Sequence, residues 1–242
     1  MAGVSGWARG TWLFGWSLAL VLIVLFAALG RWQLGRMAEK QAMLDQVAAT
    51  LEQRRALPLS AAGEAARARD FDWAQGQGRF LDAPAVLLDN QQRDGRPGVR
   101  VYRAFAPDGA APLLVELGWL PLPGDRTMPA PERIPGEQRI QGLLAPPPSA
   151  GLAQGLSAAT PGGNVLAVRL DAPGLPALLG LDALPPRVLK LDPALPIGHA
   201  RDLDVLPNTL PPQKHLGYAV QWFGLAIAVL VTALVLTFRF RR

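Results

Sequence analysis

The chain has 242 residues, half of them hydrophobic, with a formal charge of +5 and no cysteine. That length allows one soluble domain plus membrane segments, and lack of cysteine excludes disulfides, thiolate metal sites and a CxxC redox pair. The basic excess is confined to the ends: Arg9, Arg239, Arg241 and Arg242 lie in the tails, and between them basic and acidic residues nearly balance. No basic surface for nucleic acid is implied.

The chain begins with a short tail, residues 1–11, in which no structure is evident. An uncharged run follows from Thr11 to Leu29. A secretory signal would have a shorter apolar core and a small-x-small cleavage site. This run is longer, starts with Trp12 and Trp16, and leads into Gly30-Arg31-Trp32, so it is read as a retained transmembrane helix over 12–30. Residues 31–57 continue as a juxtamembrane helix in which Met37, Leu44, Val47 and Leu51 form an apolar stripe closed by Pro58. Trp32, Arg36 and Lys40 are spaced i, i+4, i+8 on another face. Their cations suit either lipid headgroups or an acidic ligand.

From Phe71 the texture changes to short β-type runs separated by Gly and Pro: FDWAQGQGRFL, AVLLDNQQ, VRVYRAFAP, LLVELGWLPL, QRIQGLLAP, NVLAVRL and RVLKLDP. They predict a compact, mostly antiparallel β-domain over 58–215, with one short helix in PGLPALLGL. The stretch APPPSAGLAQGLSAATPGGN reads as a long, mobile connection. A second span, 216–238, carries no charged side chain and is followed by a basic tail, 239–242. The fold class is therefore a membrane hairpin of two transmembrane helices with an inserted α+β, mostly antiparallel β, extracytoplasmic domain. Basic residues beside a span favour the cytoplasm, so both termini are expected there, with the central domain in the periplasm and the protein multi-pass in the inner membrane. Trp32 then shares a membrane face with Tyr218 and Trp222, and Arg36 shares a depth with His215.

No H-E-x-x-H, Walker loop, G-x-G-x-x-G or G-x-S-x-G occurs, and nothing argues for an enzyme. His199 and His215 are the two histidines, too few for a zinc or copper cage. His199, in a Gly- and Pro-flanked loop, reads as structural. His215 stands one residue before the second span, beside Lys214. A neutral imidazole there could ligate a haem iron with propionates on interfacial cations, or simply bond a headgroup or start the helix.

GRWQLGRMAEK after the first span resembles the G-x-W-Q-x-x-R-x-x-x-K pattern of the Surfeit locus (Shy-type) cytochrome c oxidase assembly proteins. PPQKHLGYAVQWFGLA resembles that family's entry to its second span, and VELGWLPLPGDR resembles its R-G-W-V-P segment. Leu117 stands where the family has Arg, and Val99 where a Tyr is common. The resemblance implies a non-enzymatic assembly factor for haem–copper oxidase that assists delivery or insertion of haem a into subunit I. Its implied partners are that subunit, the haem a synthesis machinery and the lipid bilayer, with no nucleic acid. Carried over by residue, His215 matches a histidine proposed to ligate haem a, and Arg36 and Lys40 match the first motif; from their shared depth with His215, Arg36 or Lys40 is expected to meet the propionates. Gly30, Trp32 and Gln33 match the first interface motif; Gly217, Tyr218, Gln221, Trp222 and Phe223 match the second. The alternative is a membrane scaffold that docks an oxidase subunit without haem, its motifs holding the two spans together. A third possibility is an envelope protein unrelated to the oxidase.

Overall fold

The computed structural model describes residues 4–148, 158–160, 162–206 and 210–239, with side chains from Gly10 onward. By its internal contacts the chain forms two units, one of residues 1–43 and 210–242, the other of residues 44–209. Helix α1 (Val4–Gln53) runs without a break, and helix α3 (Pro212–Arg239) closes the chain. The start at Val4 corrects the expectation of an unstructured tail: Val4–Gly10 contains no proline and feeds directly into the apolar run, so nothing stops the helix from extending backwards.

Both helices contain windows long and apolar enough to cross a membrane, and very little of either window is buried within the protein. Phe14, Leu20, Val220, Ile227 and Phe238 are all more than 60% exposed. Apolar surface on that scale is unfavourable in water and suits lipid, which marks a membrane protein with two spans.

In the first unit, the residues that are not exposed recur at spacings of three and four. On α1 they include Trp16, Ala19, Ile23, Phe26, Gly30 and Gln33; on α3, His215, Ala219, Trp222, Ala226, Val229 and Ala233. A 3–4 alternation is the period of a helix–helix seam. Its small members, Ala19, Gly30, Ala219 and Ala226, allow close approach, which matters where lipid supplies no hydrophobic drive between helices. Trp16 Nε1 donates to Thr237 Oγ1 at 2.9 Å, and the Phe26 and Trp222 rings lie 5.6 Å apart.

The second unit is a β-domain. Its strands among the described residues are β1 (Leu57–Pro58), β2 (Asp72–Phe80), β3 (Val86–Arg93), β4 (Arg96–Pro107), β5 (Leu113–Pro121), β6 (Glu137–Ala145), β7 (Ala158–Ala159), β8 (Val165–Ala167) and β9 (Val188–Leu191). A short helix α2 (Leu175–Leu178) precedes β9, where the sequence predicts one. The order is β1-β2-β6-β9-β5-β4-β3-β8-β7, with a further pairing of β2 to β4. That extra pairing closes β2, β6, β9, β5 and β4 into a five-stranded ring. One core cluster draws side chains from all five of these strands, Ala74, Phe105, Val115, Ile140 and Leu189 among them, and therefore fills the interior. A second cluster, around Tyr102, Leu114, Val165 and Leu175, packs the outer face against the α2 segment.

The seven runs read from the sequence are all strands, and the sheet is mostly antiparallel as expected, with three parallel pairings among the described residues. β1 pairs with β2, β3 with β8, and β5 with β9 in parallel. The antiparallel expectation rests on short hairpins, whereas β8 and β9 arrive by long connections that let a strand enter in either direction. Of the long connection expected over 145–164, residues 149–157 and 161 lie outside the described residues, and Ala158–Ala159 form β7.

The domain motif Gly118-Trp119 has a backbone reason. Gly118 has φ +120°, and a Cβ there would lie 2.7 Å from the carbonyl oxygen of His199. The 198–200 loop lies against it, with His199 N donating to Leu117 O at 2.7 Å and Trp119 N to Ala200 O at 2.8 Å. The guanidinium of Arg201 holds that loop by donating to the carbonyls of Asp192, Leu195, Ile197 and His199. Leu117 and Val99, the two departures from the family pattern, are fully buried in the ring interior, where an apolar side chain is what the packing asks for.

Candidate functional site

The site residues expected from sequence fall in the first unit, and the structure brings four of them into direct contact. His215 is 8% exposed, on the seam face of α3. Its Nδ1 lies 2.7 Å from Oε1 of Gln33 on α1. With Gln33 as acceptor, Nδ1 carries the proton and Nε2 is left with its lone pair. One turn earlier on α1 is Gly30, where a Cβ would stand 2.8 Å from the ring of Phe223. Gly30 is thus the gap into which Phe223 fits, and any larger residue must push the ring aside. The two interface motifs meet each other: Gly30 with Phe223, and Gln33 with His215.

The other motif residues are placed differently. Trp222 stacks on Phe26, not on Trp32, which is 57% exposed. Tyr218 is 41% exposed, and Gln221 and Gly217 also lie on the open side of α3. A Cβ on Gly217 would meet nothing within 4 Å, so its glycine is not required by this packing. Arg36 and Lys40 lie one and two turns beyond Gln33 on α1 and are half-buried. Arg36 donates to Glu39 at 2.6 Å, an exposed i, i+3 pair of little energetic weight.

This arrangement fits the donor set of an axial haem ligand. A ligating histidine needs its second nitrogen held by an acceptor, which fixes the ring and its tautomer, and Gln33 supplies that acceptor. A haem iron would take Nε2 of His215, and its carboxylates could be met by Arg36 or Lys40, on the same helix as Gln33. Among the described residues no three His, Asp or Glu side chains group as a metal-ion site.

The β-domain holds a charged cluster that the sequence reading missed. Glu116 on β5 is 2% exposed and sits between Tyr102 on β4 and Lys190 on β9, its partners in the ladder. Lys190 Nζ donates to both carboxylate oxygens at 3.0 and 2.9 Å, Tyr102 Oη donates to Oε2 at 2.9 Å, and Arg100 donates to Oε1. Burial pushes the Glu116 carboxyl up, but Lys190, Arg100 and the hydrogen bonds outweigh it and hold the group below the usual carboxylate range. Burial, reinforced by Glu116, lifts the Tyr102 phenol well above its ordinary value. The carboxylate is engaged at both oxygens and ties three strands together, while Arg100 Nε is buried without a hydrogen-bond partner. The only sequence signal is charge inside apolar runs, at Glu116 in LLVELGW and Lys190 in RVLKL. Burial, with Arg201 and Arg103 nearby, lowers the pKa of His199 against an opposing pull from Glu132.

No curated protein matches the chain at a significant level. Residues 20–227 match the SURF1 family, from within the first span, through the β-domain, to the middle of the second, and the chain belongs to that family.

Proposed function

We propose that this protein is an assembly factor for haem–copper cytochrome c oxidase, in keeping with its SURF1 family membership. It acts in the inner membrane, with both termini cytoplasmic and the β-domain periplasmic. The basic residues Arg9, Arg239, Arg241 and Arg242 beside the spans support that orientation. Its partners are oxidase subunit I and the machinery that makes haem a.

The finer reading is that the hairpin assists delivery or insertion of haem a, with His215 as the residue that would hold its iron. The observation that carries it is the 2.7 Å contact from His215 Nδ1 to Gln33, which orients the ring and reserves Nε2. Haem would contribute an iron that accepts one nitrogen donor and two carboxylates that seek cations. Gln33 orients the donor, Arg36 or Lys40 would receive the carboxylates, and Gly30 with Phe223 keeps the helices close enough for Gln33 to reach. No bond of the cargo is altered.

The test is to purify the wild type and the His215→Ala and Gln33→Leu variants from cells making haem a. Haem loss in His215→Ala, with a weakened or displaced Soret band in Gln33→Leu, is expected. Undiminished haem with an unchanged Soret band in His215→Ala overturns the ligand role.

A second reading has its own support. Gly30, Gln33, His215 and Phe223 are all consumed in holding α1 to α3, as a scaffold without haem contact would require. Co-purification of subunit I in a strain unable to make haem a separates the two. Capture that persists there favours the scaffold, and capture lost there favours the haem-dependent role.

A further inference from the structure

A cavity of about 230 Å³ opens in the second unit where the end of α1 meets the first full strand of the β-domain. Its walls are Thr50 and Gln53 from α1, Arg55 and Leu57 from the following extended stretch, Arg67, and Asp72 with Trp73 at the start of β2. We propose that this cavity binds a small organic carboxylate with a flat apolar body.

Several polar groups around the cavity are already satisfied. Asp72, the acid in the wall, has both oxygens engaged: Oδ1 accepts from Arg67, and Oδ2 accepts from Arg187 at 2.5 Å. Arg187 is fully buried and also donates to Ala61 O. Arg67 is further paired with Asp70. Thr50 Oγ1 donates to Phe71 O at 3.0 Å. These pairs close on themselves and leave no carboxylate oxygen for a cationic guest.

What remains open is an excess of donors. Arg55, the side-chain amide of Gln53 and the indole N–H of Trp73 have no hydrogen-bond or ion-pair partner among the described residues. One free guanidinium matches a single planar carboxylate, which it can bind through two parallel N–H bonds; a dianionic phosphate would call for a second free cation. The apolar requirement comes from Trp73, 3% exposed, and Leu57 in the same wall. The indole is held by Arg54, whose guanidinium carbon lies 4.6 Å from the ring centre and which also donates to Leu51 O at 3.3 Å and lies 3.6 Å from Asp192. The volume is below the ~300 Å³ at which ordinary ligand pockets begin. It therefore takes one ring with its acid group, or the acidic end of something larger. That end could belong to a free metabolite or to the C-terminus of a bound polypeptide.

The test uses full-length protein in detergent, labelled with 5-fluorotryptophan, with the Trp73 resonance assigned through Trp73→Phe. Benzoate is titrated against benzamide, and a peptide ending in phenylalanine with a free C-terminus against the same peptide amidated. A saturable shift of the Trp73 resonance with the acids and not the amides is expected, weakened about tenfold or more in Arg55→Gln. Arg55 is exposed and unpaired, so the variant should fold as the wild type does. A peptide acid that binds much more tightly than benzoate assigns the site to a protein terminus, and equal affinities assign it to a free acid. No saturable shift with any acid, or a shift indifferent to Arg55→Gln, overturns the proposal.

Discussion

Removing the carboxylate of Glu116 should do more damage than any other single side-chain change in the β-domain. Glu116→Ala leaves Arg100 and Lys190, 7% and 5% exposed, as two buried cations without their anion. It also strips Tyr102 Oη and Lys190 Nζ of three hydrogen bonds. Breaking a buried ion pair by deleting one partner costs about 3–5 kcal/mol. For a domain of this size, each kcal/mol lowers the melting temperature by roughly 2–4 °C. The expected fall is therefore about 6–20 °C, measured by the thermal loss of β-sheet circular dichroism in detergent-solubilised full-length protein. Replacing the whole cluster, Arg100→Leu with Glu116→Leu and Lys190→Met, should recover most of the loss, because no charge is then left buried. A Glu116→Ala protein melting within about 2 °C of wild type would refute the reasoning, since a loss that small is under about 1 kcal/mol at this size.

The same group sets an acid limit. Its folded pKa lies below its ordinary value near 4.5, so its contribution is complete above that value and disappears as the pH falls through the folded one. Melting temperature should drop more steeply below pH 4.5 in wild type than in Glu116→Gln; parallel curves would contradict this. At Gly118, a valine must adopt φ +120° with its Cβ 2.7 Å from the His199 carbonyl oxygen, a cost of about 2 kcal/mol or more that chemical denaturation would register. In the hairpin, Gly30→Leu should force Phe223 out of its gap and lower the detergent melting temperature, while adding Phe223→Ala should restore it. Failure of that second change to rescue the first would mean the two do not share a space.

The two spans were legible because uncharged runs of that length have few other uses, and the strands because Gly and Pro punctuate them. Contacts between distant motifs were legible only as a shared depth. Sequence placed Arg36 and His215 on one level; the partner that His215 acquires is Gln33, because the 3–4 seam of α1 turns Gln33 inward and leaves Trp32 outward. Trp32 and Trp222, expected at one membrane face, do not pack on each other: Trp32 is turned outward, while Trp222 lies against Phe26. Ring closure through β2 and β4, and the parallel entry of β8 and β9, could not be read, since strand patterns carry the face of each residue but not its neighbour. The Glu116 cluster went unseen because a single charge in an apolar run looks like an edge position until three strands are laid side by side.

The central claim is that this chain serves cytochrome oxidase assembly through the joined motifs of its two spans. It is tested most directly by haem a content and oxidase activity in membranes of a strain lacking the protein, complemented by wild type or by His215→Ala. The account predicts that both fall on deletion, return with wild type and stay low with His215→Ala. Normal haem a and normal activity in the deleted strain would contradict it.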